Sequence, residues 1–223
     1  MSRREQYLAA LGVEVWTLRG PATRGQAAAP RDAAPDAAAW ETLREQVRVC
    51  TRCGLCQSRT QTVFGVGNRR AGLLVIGEAP GAEEDRQGEP FVGRAGQLLN
   101  SMLRAVGQPR DTVYIANVLK CRPPGNRDPS PTEVASCLPY LQQQIELLAP
   151  RVILVVGRIA AQNLLGTSEA VGRLRGRMHR LGASGTPLIV TYHPAYLLRS
   201  PLEKRRAWSD LKLARTALGE AGT

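Results

Sequence analysis

The sequence predicts an α/β fold of three layers, with a central four-stranded, mainly parallel sheet covered by helices on both faces. Three observations lead there. Short β-branched apolar runs recur at LLVIG (Leu73–Gly77), VYIANV (Val113–Val118), VILVVG (Val152–Gly157) and LIVTY (Leu188–Tyr192). These runs are continuously apolar instead of alternating, as expected of strands buried on both faces. Segments of helical length lie between them, and such alternation implies parallel pairing with ligands bound beyond the strands' C-terminal ends.

Taken in chain order, MSRREQYLAALGVEVWTLR could form a short helix and strand but carries no chemistry. Residues 20–39 contain 14 Ala, Pro or Gly in 20 positions and read as a linker. We therefore divide the chain into an extension and linker at 1–39 and a domain at 40–223, beginning at Trp40. The first strand is followed by GEAPGAEEDRQGEPFVGRAGQLLN (Gly77–Asn100), whose glycines allow a tight backbone around a ligand. It is neither a Walker loop nor a GxGxxG, which disfavours a nucleotide cofactor. A helix is predicted over Arg94–Val106. After the second strand comes CRPPGNRDPSP, predicted to lack regular structure. Ser130-Pro131-Thr132-Glu133 then has the form of a capping box with proline at the first helical position, starting a helix over Pro131–Leu148 that Pro139 should kink or split. A further helix is predicted over Arg158–Leu165, and YHPAYLLR (Tyr192–Arg199) follows the fourth strand as a loop.

Net charge is +11, with 27 Arg against 3 Lys. Residues 1–150 hold 18 basic and 15 acidic side chains, and residues 151–223 hold 12 and 4, so the excess is C-terminal. A field of that sign favours phosphate backbones, although solubility alone could account for it. The arginine preference fits bidentate phosphate contacts or a GC-rich genome. No run approaches the roughly 20 apolar residues of a membrane span, and no early stretch resembles a signal peptide. A cytosolic protein with no membrane partner is expected.

Five cysteines in a reducing compartment point to metal before disulfides. Cys50 and Cys53 form C-x2-C, and Cys121 with Cys137 forms C-x15-C; four thiolates suit zinc or an iron–sulfur cluster. Cys56 makes a second C-x2-C with Cys53, so the pair at this end is ambiguous from spacing.

Other candidates sit at strand ends. Glu78, Glu83, Glu84, Asp85 and Glu89 place five acids in twelve residues of a basic chain, directly after the first strand. His193 is one of only two histidines and ends the fourth strand on the side that holds Glu78. The Asn117 amide offers a donor and an acceptor side by side, matching a pyrimidine edge, with a turn cap as the competing role.

Together, C-x2-C, GEAPG-x2-ED, PFVGRAGQLLN, NVLKCRPP, C-x15-C and HPAYLLR resemble the family 4 uracil-DNA glycosylases, from about Cys50 to beyond Arg199. The resemblance implies that family's fold and a 4Fe-4S cluster. It selects Cys50, Cys53, Cys121 and Cys137 as ligands, because Arg59 stands six residues after Cys53, and leaves Cys56 as an extra. The implied reaction hydrolyses the bond between uracil and deoxyribose after the nucleotide is flipped from the stack. Gly77 and Ala79 would line the base pocket, Phe91 would stack beneath the ring, and Asn117 would read its edge. His193 would donate towards uracil O2. Related families carry an aspartate where Ala79 stands, so Glu78 or Glu84 would hold the water, with Asn126 assisting. Leu197 would be the wedge that fills the vacated stack, and Arg199 would contact DNA. A branch of the superfamily that joins covalently to the abasic site uses a histidine after the second strand. KCRPPGNRDPSP has none, so turnover is implied. Uracil-containing single- and double-stranded DNA is the implied partner of a monomer found with the nucleoid. The alternative is a non-catalytic DNA-binding or sensor protein built on a four-cysteine metal site.

Overall fold

A computed structural model of the chain describes residues 37–220; the helix and strand predicted before the linker lie outside them. The first of the described helices, α1 (Ala37–Arg48), buries Trp40, Leu43 and Val47. A 3-10 turn (Gly54–Gln57) leads to β1 (Val66–Gly67), β2 (Leu73–Gly77), α2 (Ala82–Gln87), α3 (Arg94–Ala105) and β3 (Tyr114–Asn117). A second 3-10 turn (Pro124–Asn126) precedes α4 (Pro131–Leu148), β4 (Val152–Val156), α5 (Arg158–Leu165), α6 (Val171–Leu174), β5 (Met178–Leu181), β6 (Thr186–Thr191), α7 (Pro194–Arg199), a 3-10 turn (Pro201–Glu203) and α8 (Lys204–Glu220).

Among the described residues the sheet has six strands in the order β1-β3-β2-β4-β6-β5. The four strands expected from the sequence are its parallel centre, β3-β2-β4-β6. The four-strand expectation is corrected by two antiparallel edges, β1 on β3 and β5 on β6. Both edges lack a continuous apolar run: β1 has two residues, and in β5 the sequence MHRL is half exposed.

Alternate residues of each central strand enter opposite cores. Leu74, Ile76, Ile153 and Val155 pack on one face with Trp40, Leu43, Leu141 and Ile145. Leu73, Val75, Val152 and Leu154 pack on the other with Leu99, Leu103, Leu211 and Ala214. Burial on both faces is what made these strands continuously apolar in sequence.

The α4 capping box forms as expected: Glu133 N–H donates to Ser130 Oγ at 3.2 Å, and the Glu133 carboxylate accepts from Ser130 N–H at 2.7 Å. Arg127 adds bonds of 2.6 and 2.9 Å to the same carboxylate, and these hydrogen bonds take it down to about 2. The PPGNR loop is thereby fastened to the start of α4. That helix runs through Pro139 as one segment, so Pro139 does not split it. Burial of Tyr140, Leu141, Ile145 and Leu148 beyond the proline offsets one missing N–H.

Candidate active site

Register brings the chemistry to one edge. Gly77 pairs with Asn117, Ile76 with Val155, and Val156 with Thr191, so the four central strands end at one level. Beyond them opens a cleft of about 790 Å³. Of the residues expected from sequence, Glu78, Ala79, Glu84, Phe91, Asn117, Asn126, His193 and Arg199 line it.

Gly77 is required for close approach. A Cβ there would meet Asn117 Oδ1 and, at 2.6 Å, the Phe91 ring. Phe91 itself has φ of 55°, and Arg110 holds the turn by donating to the Phe91 carbonyl at 3.3 Å and the Pro90 carbonyl at 2.7 Å. The ring is nearly buried and lies 5.7 Å from that of His193, tilted by 32°. Phe91 therefore forms a flat apolar wall between Gly77 and His193.

Asn117 faces the same space. Its backbone carbonyl accepts from Lys120 Nζ at 2.8 Å; Lys120 also donates to Gln144 Oε1 at 2.6 Å, and Gln144 Nε2 donates to the Phe64 carbonyl at 2.9 Å. This buried chain fixes the strand end. Asn117 Oδ1 is nevertheless buried without a hydrogen-bond partner among the described residues. An orphaned acceptor of this kind costs roughly 1–3 kcal/mol, which suits a site kept for a ligand's donor.

His193 caps α7: its Nδ1 accepts from Ala195 N–H at 3.1 Å. A ring nitrogen that accepts carries no proton, so the neutral ring holds its proton on Nε2. Burial, helped by the nearby Arg199 charge and opposed by Glu84, pushes its pKa down to about 4. At neutral pH His193 is thus an uncharged donor.

Glu78 is pushed up to about 6 by burial and by Asp128, with Arg158 opposing. Arg158 in turn reaches the Asp128 carboxylate at 2.5 Å. Glu84, the other residue expected to hold the water, is bound to backbone N–H groups. One oxygen accepts from Gly81 N–H at 3.2 Å; the other accepts from Val92 and Gly93 N–H at 3.0 and 3.1 Å. Glu84 therefore ties the GEAPG turn to the loop that carries Phe91. Asn126 adopts φ of 56°, and its Oδ1 accepts from Arg122 Nε at 2.8 Å.

The acidic run as a whole is not a patch on the cleft. Part of it forms α2, with Glu83 paired to Arg86 at 2.6 Å and buried Asp85 accepting from Thr60 N–H at 3.0 and 3.1 Å. Likewise HPAYLLR is a helix, not a loop. Leu197, expected as the wedge, is fully buried, whereas Leu198, on the helix's outer face, is 38% exposed. The arginine excess is also partly consumed, since Arg175 pairs with buried Asp210 at 2.7 Å and Arg206 with Glu203 at 3.1 Å.

Sequence reasoning missed Asp128, Arg158, Tyr192 and Tyr196, all of which line the cleft. Arg158 could have been found by the strand-end rule that found Glu78 and His193, since it follows Gly157 directly.

On the face of the sheet covered by α1 and α4, Cys50, Cys53, Cys56, Cys121 and Cys137 line one small hollow with Arg52, Arg59 and Tyr140. Arg59 donates to Cys121 Sγ at 3.1 Å and Lys120 N–H to Cys137 Sγ at 3.2 Å. Burial pushes the Cys137 thiol up to about 11 and raises Cys121 as well. Among the described residues, no three His, Cys, Asp or Glu side chains are placed to hold a single ion. Cys56, expected as an extra, shares the hollow with the other four.

Residues 64–212 match the model of the uracil DNA glycosylase superfamily, which gives the class of protein to which this fold and cleft belong. The chain is 43% identical over 178 residues to a type-4 uracil-DNA glycosylase of Archaeoglobus fulgidus, covering 77% of this chain and 89% of that one. Type-4 uracil-DNA glycosylases of Pyrobaculum aerophilum and Thermotoga maritima are each 42% identical to it, covering 78% and 82% of this chain and 91% and 96% of their own. The chain belongs to the type-4 uracil-DNA glycosylases.

Proposed function

We propose that this glycosylase of DNA repair hydrolyses the uracil N-glycosidic bond with the strand-end cleft as its base pocket, and the orphaned Asn117 oxygen is the observation that carries the reading. A flipped uracil stacks on Phe91. Asn117 Oδ1 accepts from uracil N3–H while its amide nitrogen donates to O4, a pairing that thymine shares but cytosine does not. As the C1′–N1 bond breaks, its electron pair passes to uracil, and the charge collects on N1 and O2. The Nε2–H of neutral His193 donates to O2 and stabilises that anion. Water adds to the cation-like C1′, and its proton leaves towards Glu78, whose carboxylate also favours positive charge on the sugar. Glu84 keeps Phe91 in place, and Ala79 leaves room at the position where a longer side chain would enter the cleft.

Cys50, Cys53, Cys121 and Cys137 would hold a 4Fe-4S cluster. The thiol-lined hollow and the N–H donors aimed at two of its sulfurs fit that group. Bound there, it would link the chain after α1 to the start of the PPGNR loop through Cys121 and to α4 through Cys137. We place the enzyme as a monomer on single- and double-stranded DNA of the cytoplasmic nucleoid. No described helix is long and apolar enough to cross a membrane.

Because Glu78 must be ionised to accept a proton, and burial raises it to about 6, single-turnover uracil release should rise between about pH 5 and 7 with a midpoint near 6. His193, neutral above about 4, adds no step in that window. Glu78→Gln should be slower and lack the step. A wild-type rate flat across the window would contradict this role for Glu78.

Leu198, exposed on α7 where Leu197 is buried, takes the wedge role. Leu198→Ala is expected to slow release from duplex DNA about tenfold and from single strands much less, because only the duplex leaves a gap in a paired stack. Equal losses on both substrates would exclude it. Leu197→Ala should instead destabilise the fold by about 3 kcal/mol.

A further inference from the structure

The groups that face uracil leave an aromatic pair on the cleft wall unused. Tyr192 follows β6 directly and Tyr196 lies on α7; their rings stand 5.1 Å apart at 40° and both line the cleft. Tyr196 is 36% exposed. Behind the pair is a built support. The Arg175 guanidinium lies over the Tyr192 ring at 5.7 Å. Arg175 is held by the Asp210 carboxylate at 2.7 and 2.9 Å and by the Arg206 carbonyl at 2.6 Å. Asp210 is fully buried and also accepts from Thr191 Oγ1 at 2.8 Å, anchoring the residue just before Tyr192. A buried ion pair thus braces the half-buried Tyr192 ring, against which the exposed Tyr196 ring packs. Tyr192 is thus contacted by both Arg175 and Tyr196, and the exposed Tyr196 ring is the member of the pair that an unpaired base can reach; stacking on such a ring is indifferent to base identity. Arg199, one helical turn beyond Tyr196, lines the same cleft and offers a cation to the adjoining phosphate.

We infer that the Tyr192–Tyr196 pair is a stacking platform for the nucleotide next to the extruded uracil, with Arg175 and Asp210 as its positioning residues. This rests on the uracil-DNA reading of the cleft. On that account strand affinity depends on the neighbouring base as well as on uracil.

The test measures binding of the full chain with its cluster to single-stranded oligonucleotides. Each carries a non-hydrolysable 2′-fluoro-deoxyuridine, with the neighbouring nucleotide on either side replaced in turn by an abasic spacer. Removing a neighbour makes extrusion easier, so any loss of affinity must come from the protein side. For the wild type, the spacer on one side should weaken binding roughly tenfold. Tyr196→Ala should bind the normal strand more weakly and be insensitive to the spacer, whereas Tyr196→Phe, which keeps the ring, should respond as the wild type does. Spacer sensitivity retained in Tyr196→Ala, or absent from the wild type on both sides, overturns the platform while leaving the uracil pocket intact. If the wild type binds the fluoro-deoxyuridine strand no more tightly than the matching 2′-fluoro-deoxycytidine strand, the uracil reading fails and the platform with it.

Discussion

His193→Ala is expected to lower the single-turnover rate of uracil release by roughly a hundredfold or more, the usual cost of removing one pre-organised donor to a developing oxyanion. The reason is the tautomer. Ala195 N–H occupies Nδ1, so Nε2–H is the ring's one donor, and it meets the cleft beside Phe91. A positively charged imidazole would bind the anion more strongly but would have to be formed against a pKa near 4; the neutral ring is present throughout the working range. Losing the cap on α7 costs about 1 kcal/mol, so the variant should remain folded with its circular dichroism unchanged. A rate within a few-fold of the wild type, in folded protein, would remove His193 from the reaction.

Cys137→Ser should have an effect of comparable size by another route. Cys50 follows α1, Cys53 precedes the 3-10 turn, Cys121 opens the PPGNR loop, and Cys137 lies in α4, where that loop ends. A cluster held by these four sulfurs would join the segment after α1 to the PPGNR loop and to α4. Its binding energy is then folding energy, as at other metal sites absent from the unfolded chain. Loss of one ligand is expected to abolish the brown colour and lower the thermal midpoint by about 10 °C, at roughly 2–4 °C per kcal/mol for a chain of this size. Release of uracil should fall as well, since Asn126 and Asp128 reach the cleft from that loop. A colourless wild-type protein holding stoichiometric zinc would refute the cluster, and an unchanged midpoint in Cys137→Ser would refute its structural role.

The parallel centre of the sheet and the strand-end position of the candidate cleft were legible because burial on both faces leaves an unbroken apolar run. Each run ends where a polar residue begins: Glu78, Asn117, Arg158, and His193 after Tyr192. Edge strands were not legible, since β5 is half exposed and β1 has only two residues. The surroundings of Glu84 and Leu197 were also out of reach. A carboxylate that binds three backbone N–H groups and one that holds water look alike in sequence, and the difference lies in the turn that brings Val92 and Gly93 within reach. Adjacent leucines differ only by the face of a one-and-a-half-turn helix, and HPAYLLR gives no period long enough to show which face is inside. Arg175 and Asp210, 35 residues apart, could be paired only by the fold. The basic C-terminal excess that suggested a polyanion survives in reduced form, with Arg199 on the cleft and Arg175 spent within the core.

The most direct measurement is chromatographic quantification of free uracil after incubation of the cluster-containing protein with single- and double-stranded uracil DNA, alongside Asn117→Ala. Release from both substrates by the wild type, and a rate reduced at least roughly tenfold in the variant, is the predicted result. No free uracil from the wild type on either substrate, or undiminished release by Asn117→Ala, would contradict the assignment of this cleft.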